Sequence, residues 1–131
     1  MKKTILSSFI IMMLFASMFV TSCKYSSNYS AVASIEISDK DKYEYDFGSF
    51  KGTKSLILFA KDDDAKLKYD AELEQGTVNV YCDYNGNKEL LFRLSDNEKV
   101  SDEIEIDKGK VYIIIESEAV SKEGNLKFKI D

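Results

Sequence analysis

The chain has no histidine, no tryptophan and no proline, and only two cysteines among its 131 residues. The lack of His removes the commonest general base and the commonest metal ligand. The lack of Trp removes the strongest platform on which a sugar ring could stack. Basic charge is also short: 18 Lys and Arg face 23 Asp and Glu, a net charge of −5. Such a chain is a poor partner for nucleic acid or for an anionic membrane surface. Past the N-terminus the longest apolar runs, 56–60 and 111–115, are far too short to span a bilayer. There is no Gly-rich phosphate loop, no Cys/His metal spacing and no Ser/His pair. Acids are plentiful, but they fall on alternating positions that face water, where nothing raises a carboxyl to the pKa of a catalytic acid. The sequence therefore predicts no enzyme, no metal and no cofactor.

What is present begins at the N-terminus. Lys2 and Lys3 precede an apolar stretch, residues 5–20, broken only by Ser7, Ser8 and Ser17. Small residues Thr21 and Ser22 then lead into Cys23. This is the three-part layout of an export signal. Val20-Thr21-Ser22-Cys23 resembles the lipobox of bacterial lipoproteins. The resemblance implies a diacylglyceryl group on the Cys23 thiol, cleavage just before it, and a signal helix over 1–22 that the mature protein lacks. A plain transmembrane helix and an ordinary cleaved signal are the two alternatives; sixteen or so apolar residues are slightly short for the first, since about 20 are needed. Two or more acyl chains anchor stably, because each buried methylene contributes about 0.8 kcal/mol. Removal of 1–22 takes Lys2 and Lys3 with it, so the mature chain carries −7. If Cys23 carries lipid, Cys82 has no disulfide partner and the domain must be held by its core, which its size allows.

Residues 24–32 are Ser-rich without clear periodicity and read as a tether, at most about 30 Å long when extended. From residue 33 onward the hydrophobic period is two. Ile35 and Ile37 alternate with polar neighbours, as do Tyr43, Tyr45 and Phe47. Leu67, Tyr69, Ala71 and Leu73 repeat the pattern, followed by Val78, Val80 and Cys82, by Ile104 and Ile106, and by Leu126, Phe128 and Ile130. Each segment has one apolar and one wet face, as antiparallel strands covering a core do. Residues 55–60 and 111–115 are apolar on both faces and read as central or covered strands. Gly76, Gly86, Gly109 and Gly124 fall between strand candidates, and Gly48 reads as a bulge. About seven to eight strands in roughly 100 residues predict an all-β, antiparallel two-sheet β-sandwich over 33–131.

One hairpin register can be argued. A two-residue turn at Asn85-Gly86 would mix core and solvent residues on one face. A three-residue loop, 85–87, instead pairs Val78 with Leu94, Val80 with Phe92 and Cys82 with Leu90, all inward. Cys82 is then a buried filler. Tyr81 should point outward beside Leu91, with Asn79 beside Arg93, the only Arg. Tyr112 and Ile114 fall on the non-core phase of 111–115. Tyr81, Leu91, Arg93 and Tyr112 form the candidate partner surface, aromatics and Arg being favoured at interfaces; burial under the tail of the chain is the competing reading. Asp62-Asp63-Asp64 lacks the spacing and Gly of a calcium loop and reads as a solvated turn.

Residues 67–76, the hairpin after them, and Lys108-Gly109-Lys110-Val111-Tyr112-Ile113 running into Gly124-Asn125-Leu126-Lys127 together resemble small β-sandwich lipoproteins. Their ending is similar to jelly-roll and immunoglobulin-like modules that bind sugars or proteins. The resemblance implies binding rather than catalysis and carries over no site residue. The expectation is a cell-envelope lipoprotein, lipid-anchored to the outer face of the cytoplasmic membrane or to the outer membrane. It would act by non-catalytic binding of an envelope protein, as an accessory subunit or protective factor. The alternative is a carbohydrate- or wall-polymer-binding module that stacks a glycan on Tyr81, Tyr112 or Tyr84.

Overall fold

The computed structural model describes residues 24–131, and every regular element in it is a β-strand. The signal segment and Cys23 lie outside the described residues. Among the described residues no helix is long and apolar enough to cross a membrane. In chain order the strands are β1 (Asn28–Val32), β2 (Ile35–Ser38), β3 (Lys42–Ala60), β4 (Lys66–Gln75), β5 (Val78–Asp83), β6 (Glu89–Leu94), β7 (Glu98–Glu105) and β8 (Gly109–Ile130).

The two long strands organise the fold. β3 and β8 run antiparallel to each other from Lys42↔Lys129 to Ala60↔Gly109. Near the middle the ladder is interrupted: it passes from Phe50↔Ser121 to Gly52↔Ser117, leaving Lys51 on one strand and residues 118–120 on the other unpaired. Bulges bend strands and let one strand serve two sheets. Beyond the bend each half recruits different neighbours. The first half of β3 and the second half of β8 join β2, β4 and β7 in sheet I, in the order β2-β3-β8-β4-β7. The other halves join β5 and β6 in sheet II, in the order β3-β8-β5-β6. β1 runs along the bend of β3, from Asn28↔Thr53 to Val32↔Ser49.

The two sheets face each other across one core. Tyr43, Tyr45, Phe47, Leu67, Tyr69, Leu126 and Phe128 come from sheet I, and Leu58, Val80, Phe92, Val111, Ile113 and Ile115 from sheet II. Phe92 of sheet II stacks on Tyr69 of sheet I at 5.2 Å and on Phe128 at 6.2 Å. Full burial of a large apolar side chain contributes about 1.5–3 kcal/mol, so this core suffices without a disulfide. The expected all-β antiparallel sandwich is the fold observed.

Four details differ from the sequence reading. Segments 43–47 and 55–60 are one strand, and so are 111–115 and 126–130, because with no Pro nothing stops the β3–β8 ladder. The irregularity in β3 sits at Gly52, at φ 114°, and not at Gly48. The residues read as a tether are in part a strand: β1 hydrogen-bonds to β3, so the folded unit begins before residue 33. The hairpin register holds for Val78↔Leu94, Asn79↔Arg93 and Val80↔Phe92, then slips to Tyr81↔Leu90 and Cys82↔Glu89. The proposed pairing of Cys82 with Leu90 is thus wrong. A bulge at Leu91 absorbs one residue, and the connection lengthens to residues 84–88.

Candidate functional site

Sheet I presents an outer face built from the wet phase of β3, β4, β7 and β8, together with Ile35 and Ile37 of β2. The alternation assigned those two to the core, but they pair beside Asp46 and Glu44 and stand exposed. Three rows cross it. One is Lys42, Lys129, Lys68 and Glu103; the next is Ile37, Glu44, Lys127, Asp70 and Ser101; the third is Ile35, Asp46, Asn125, Glu72 and Lys99. Between these rows lies the backbone of the buried ones, so the side chains stand up around an open trough. Two adjoining depressions make it, of about 490 Å³ over the first two rows and about 440 Å³ over the third row and Glu74, Glu98 and Glu123. Along β8 it runs from Lys129 to Glu123, roughly 20 Å at about 3.4 Å per residue.

The trough is lined by charged side chains, with Tyr43, Tyr69 and Phe128 also at the larger depression, and is partly pre-set. Lys127 Nζ lies 3.8 Å from Glu44 Oε1, and Asn125 Nδ2 donates to Asp46 Oδ2 at 3.4 Å. At the Lys end, Lys68 Nζ meets Asp131 Oδ2 at 2.6 Å and Lys129 Nζ meets Oδ1 at 3.5 Å. Hydrogen bonding from Lys68 holds the Asp131 carboxyl below the usual carboxylate range and the Lys68 ammonium above its own. Along the β2 side, Ile35 and Ile37 stand 66% and 52% exposed, an apolar rim beside the hydrogen-bonding floor. The sequence reading found the alternation that makes this face but not the face itself. Nothing local says that these three rows lie side by side; only strand order does.

The outer face of sheet II carries the surface expected from the sequence, in altered form. Tyr81 is half-buried, with Lys88 Nζ 4.5 Å from its ring centre, and Lys88 pairs with Glu116 at 3.2 Å. Arg93 is exposed opposite Asn79. Leu91, displaced by the bulge, packs against the core, and Leu90 takes its place opposite Tyr81 at 56% exposure. Tyr112 is half-buried under Tyr25, edge to face at 5.4 Å. Ile114, on the same outer phase, is only 1% exposed. The chain's own N-terminal residues therefore cover part of this face.

Their fixing point is Asp83, whose side chain is almost fully buried. Its Oδ2 accepts from Lys24 Nζ at 2.6 Å and from the Tyr25 hydroxyl at 2.7 Å, and its Oδ1 from the Gly86 amide at 2.8 Å. Burial pushes this carboxyl up, but Lys24, Tyr25 and the Gly86 amide outweigh it and hold it below the ordinary Asp value. Ser55 adds two more ties, its Oγ donating to Tyr25 O at 3.0 Å and its amide to Ser27 Oγ at 2.9 Å. Residues 24–27 are a strap across sheet II, missed because KYSSN has no periodicity to betray long-range contacts.

Cys82 is 3% exposed, and burial first, then Asp83 and Glu89, push its thiol up to about 12, so it is inert at neutral pH. Asp62, Asp63 and Asp64 are exposed in the connection before β4. Tyr84 is half-buried at the end of the sandwich, in a depression shared with Asp63, Asp64, Glu105 and Asp107. Among the described residues no group of three or more His, Cys, Asp or Glu could hold a metal ion.

No family model matches the chain, and no curated protein matches it. Solved structures do. The fold is that of TmCBM61, a family 61 carbohydrate-binding module solved in complex with β-1,4-galactotriose. The two are 17% identical, with a TM-score of 0.50 over 86% of this chain and 92% of that one. A family 29 carbohydrate-binding module matches at 13% identity and a TM-score of 0.41, covering 79% of this chain and 76% of its own. An exo-β-1,3-galactanase from Phanerochaete chrysosporium, with β-1,3-galactotriose, matches over 27% of its length at 12% identity and a TM-score of 0.43.

Proposed function

We propose that this protein is a non-catalytic glycan-binding module, carried at the cell envelope by lipid on Cys23 and binding its polymer in the trough of sheet I. The observation that carries the reading is that trough: carboxylates, an amide, a hydroxyl and ammonium groups line an open channel. Carboxylate and amide oxygens accept from sugar hydroxyls, and the Lys and Asn side chains donate to them. The two depressions together follow β8 for roughly 20 Å, which suits an extended chain better than a single small molecule. Charges of both signs along the floor favour a neutral polymer over a polyanion. The shared fold with a module solved with galactotriose supports a carbohydrate ligand. The lipobox-like Val20-Thr21-Ser22-Cys23 supports the anchor.

This reading moves the ligand away from the tyrosines of sheet II. One face of Tyr81 is occupied by Lys88, and Tyr112 lies under Tyr25. Affinity electrophoresis of the detergent-solubilised protein through gels holding neutral galactans, glucans or mannans tests it. Retardation by at least one polymer is expected. Asp70→Ala or Asn125→Ala should weaken it about tenfold, close to 1.4 kcal/mol. No retardation by any polymer, or loss with Tyr81→Ala but not with the trough variants, would overturn the assignment.

A protein partner is the second reading, favoured by the apolar edge at Val32, Ile35 and Ile37, each more than half exposed. Capture of one envelope protein from intact membranes, lost on Ile35→Lys, would select it.

A further inference from the structure

The strap has a geometric consequence for the way the protein sits on a membrane. Lys24 is the residue after Cys23, and consecutive Cα atoms are about 3.8 Å apart. Lys24 is not at the end of a free stalk. Its ammonium is held on the buried Asp83, and Tyr25 is held by the same carboxylate and against the Tyr112 ring. Ser27 is tied to Ser55, and β1 then pairs with β3. No slack remains between the proposed lipid-bearing residue and the outer face of sheet II.

We propose that the mature protein lies directly on the bilayer through the outer face of sheet II, so that the trough of sheet I faces away from the membrane. The occupant of the sheet II face is the phospholipid surface. Three features argue for it. The described chain begins on this face, so acyl chains on Cys23 enter the bilayer beside it. The face carries Tyr25, Tyr81 and Tyr112 with exposed Leu90, amphipathic and apolar groups suited to a membrane-water boundary. Arg93 stands among them with an apolar stem and a charged tip that can reach a headgroup, while the ammonium groups of Lys24 and Lys88 are held on Asp83 and Glu116. Charge does not drive the contact: Asp83 and Glu116 hold Lys24 and Lys88, and the mature chain is acidic. The covalent anchor and the strap set the orientation. The inference rests on the anchor part of the proposed function and is independent of what the trough binds.

The test uses the full chain, expressed and processed in a bacterial host, with Cys82→Ala to leave no competing thiol. Mass spectrometry of the N-terminal peptide first establishes lipid on Cys23; its absence would overturn both the anchor and this orientation. Two variants then carry a fluorophore on a new thiol, Leu90→Cys on sheet II or Glu72→Cys in the trough. Both positions are exposed, so neither change disturbs the core. In phosphatidylcholine vesicles with a nitroxide headgroup, quenching at position 90 should exceed that at position 72 at least fivefold. Adding Asp83→Ala should bring the two closer together by releasing the strap. Equal quenching in the parent, or stronger quenching at 72, with lipid present on Cys23, would overturn the orientation while leaving the anchor standing.

Discussion

At the scale of single residues, packing is decided by groups that have no freedom to move. Gly124 sits inside β8, where a Cβ would come 2.3 Å from the Phe47 ring. Phe47 is itself buried against Phe50, so the ring has nowhere to go. Gly124→Ala should therefore destabilise the domain by about 2 kcal/mol or more, as overpacking does. Gly86 is the control. Its φ is 94°, but nothing lies within 4 Å of the added Cβ, so Gly86→Ala should cost only about 1 kcal/mol. Urea midpoints of the two variants check the difference. Cys82 gives a second outcome: its thiol should react with an aromatic disulfide reagent only as fast as the domain opens, and addition of urea should release it. Prompt reaction in buffer would contradict its burial. In the sequence, Cys82 was readable as core from its phase with Val78 and Val80. Gly124 was not, because its partner is 77 positions away and the glycine looked like an ordinary loop residue.

At the scale of elements, the strap is the part most open to test. Asp83 titrates lower in the fold than in the unfolded chain because Lys24, Tyr25 and the Gly86 amide stabilise its charged form. The stabilisation is thus present above the ordinary Asp value and is lost as pH falls through the folded value. Strap release should therefore appear only on acidification below the usual carboxylate range. The ring resonances of Tyr25 and Tyr112, followed by NMR, should shift together there and stay level toward neutral pH. In Asp83→Ala the same resonances should report release at every pH, with amide exchange over residues 24–27 at least tenfold faster. A midpoint above the ordinary Asp range would refute the assigned partners. The β5–β6 hairpin teaches a related point. Hydrophobic phase gave its first three pairs correctly, then a bulge at Leu91 let Leu90 turn outward. A bulge costs one residue of register and leaves no mark in the pattern.

At the scale of the whole molecule, a strap on one outer face and a polar trough on the other make the two sides of the sandwich unlike. Sheet II carries the beginning of the described chain and three tyrosines; sheet I carries rows of Lys, Glu, Asp and Asn open to solvent. If the trough holds a glycan and the strap holds the domain to its anchor, ligand and membrane lie on opposite sides. Soluble glycan should then bind equally well to vesicle-bound and detergent-solubilised protein, which sedimentation with vesicles would measure. A vesicle-bound form that loses binding would place the trough against the bilayer.

The sequence alone determined the class of the fold and most of its inner and outer residues, because period-two alternation is written locally. Ile35, Ile37, Leu90 and Ile114 went the other way, since β2 is an edge strand, Leu90 follows a bulge and Ile114 lies in a covered strand. The chain's lack of His and its short apolar runs also ruled out a histidine base and a long apolar helix in the described domain. Tertiary structure decided the rest. That 43–47 and 55–60 are one bent strand, that three rows line up into a trough, and that Lys24 and Tyr25 close over Asp83 are all facts of strand order. They depend on contacts between residues tens of positions apart. Such contacts are selected by the closing of two sheets over one core, and no window of the sequence contains them.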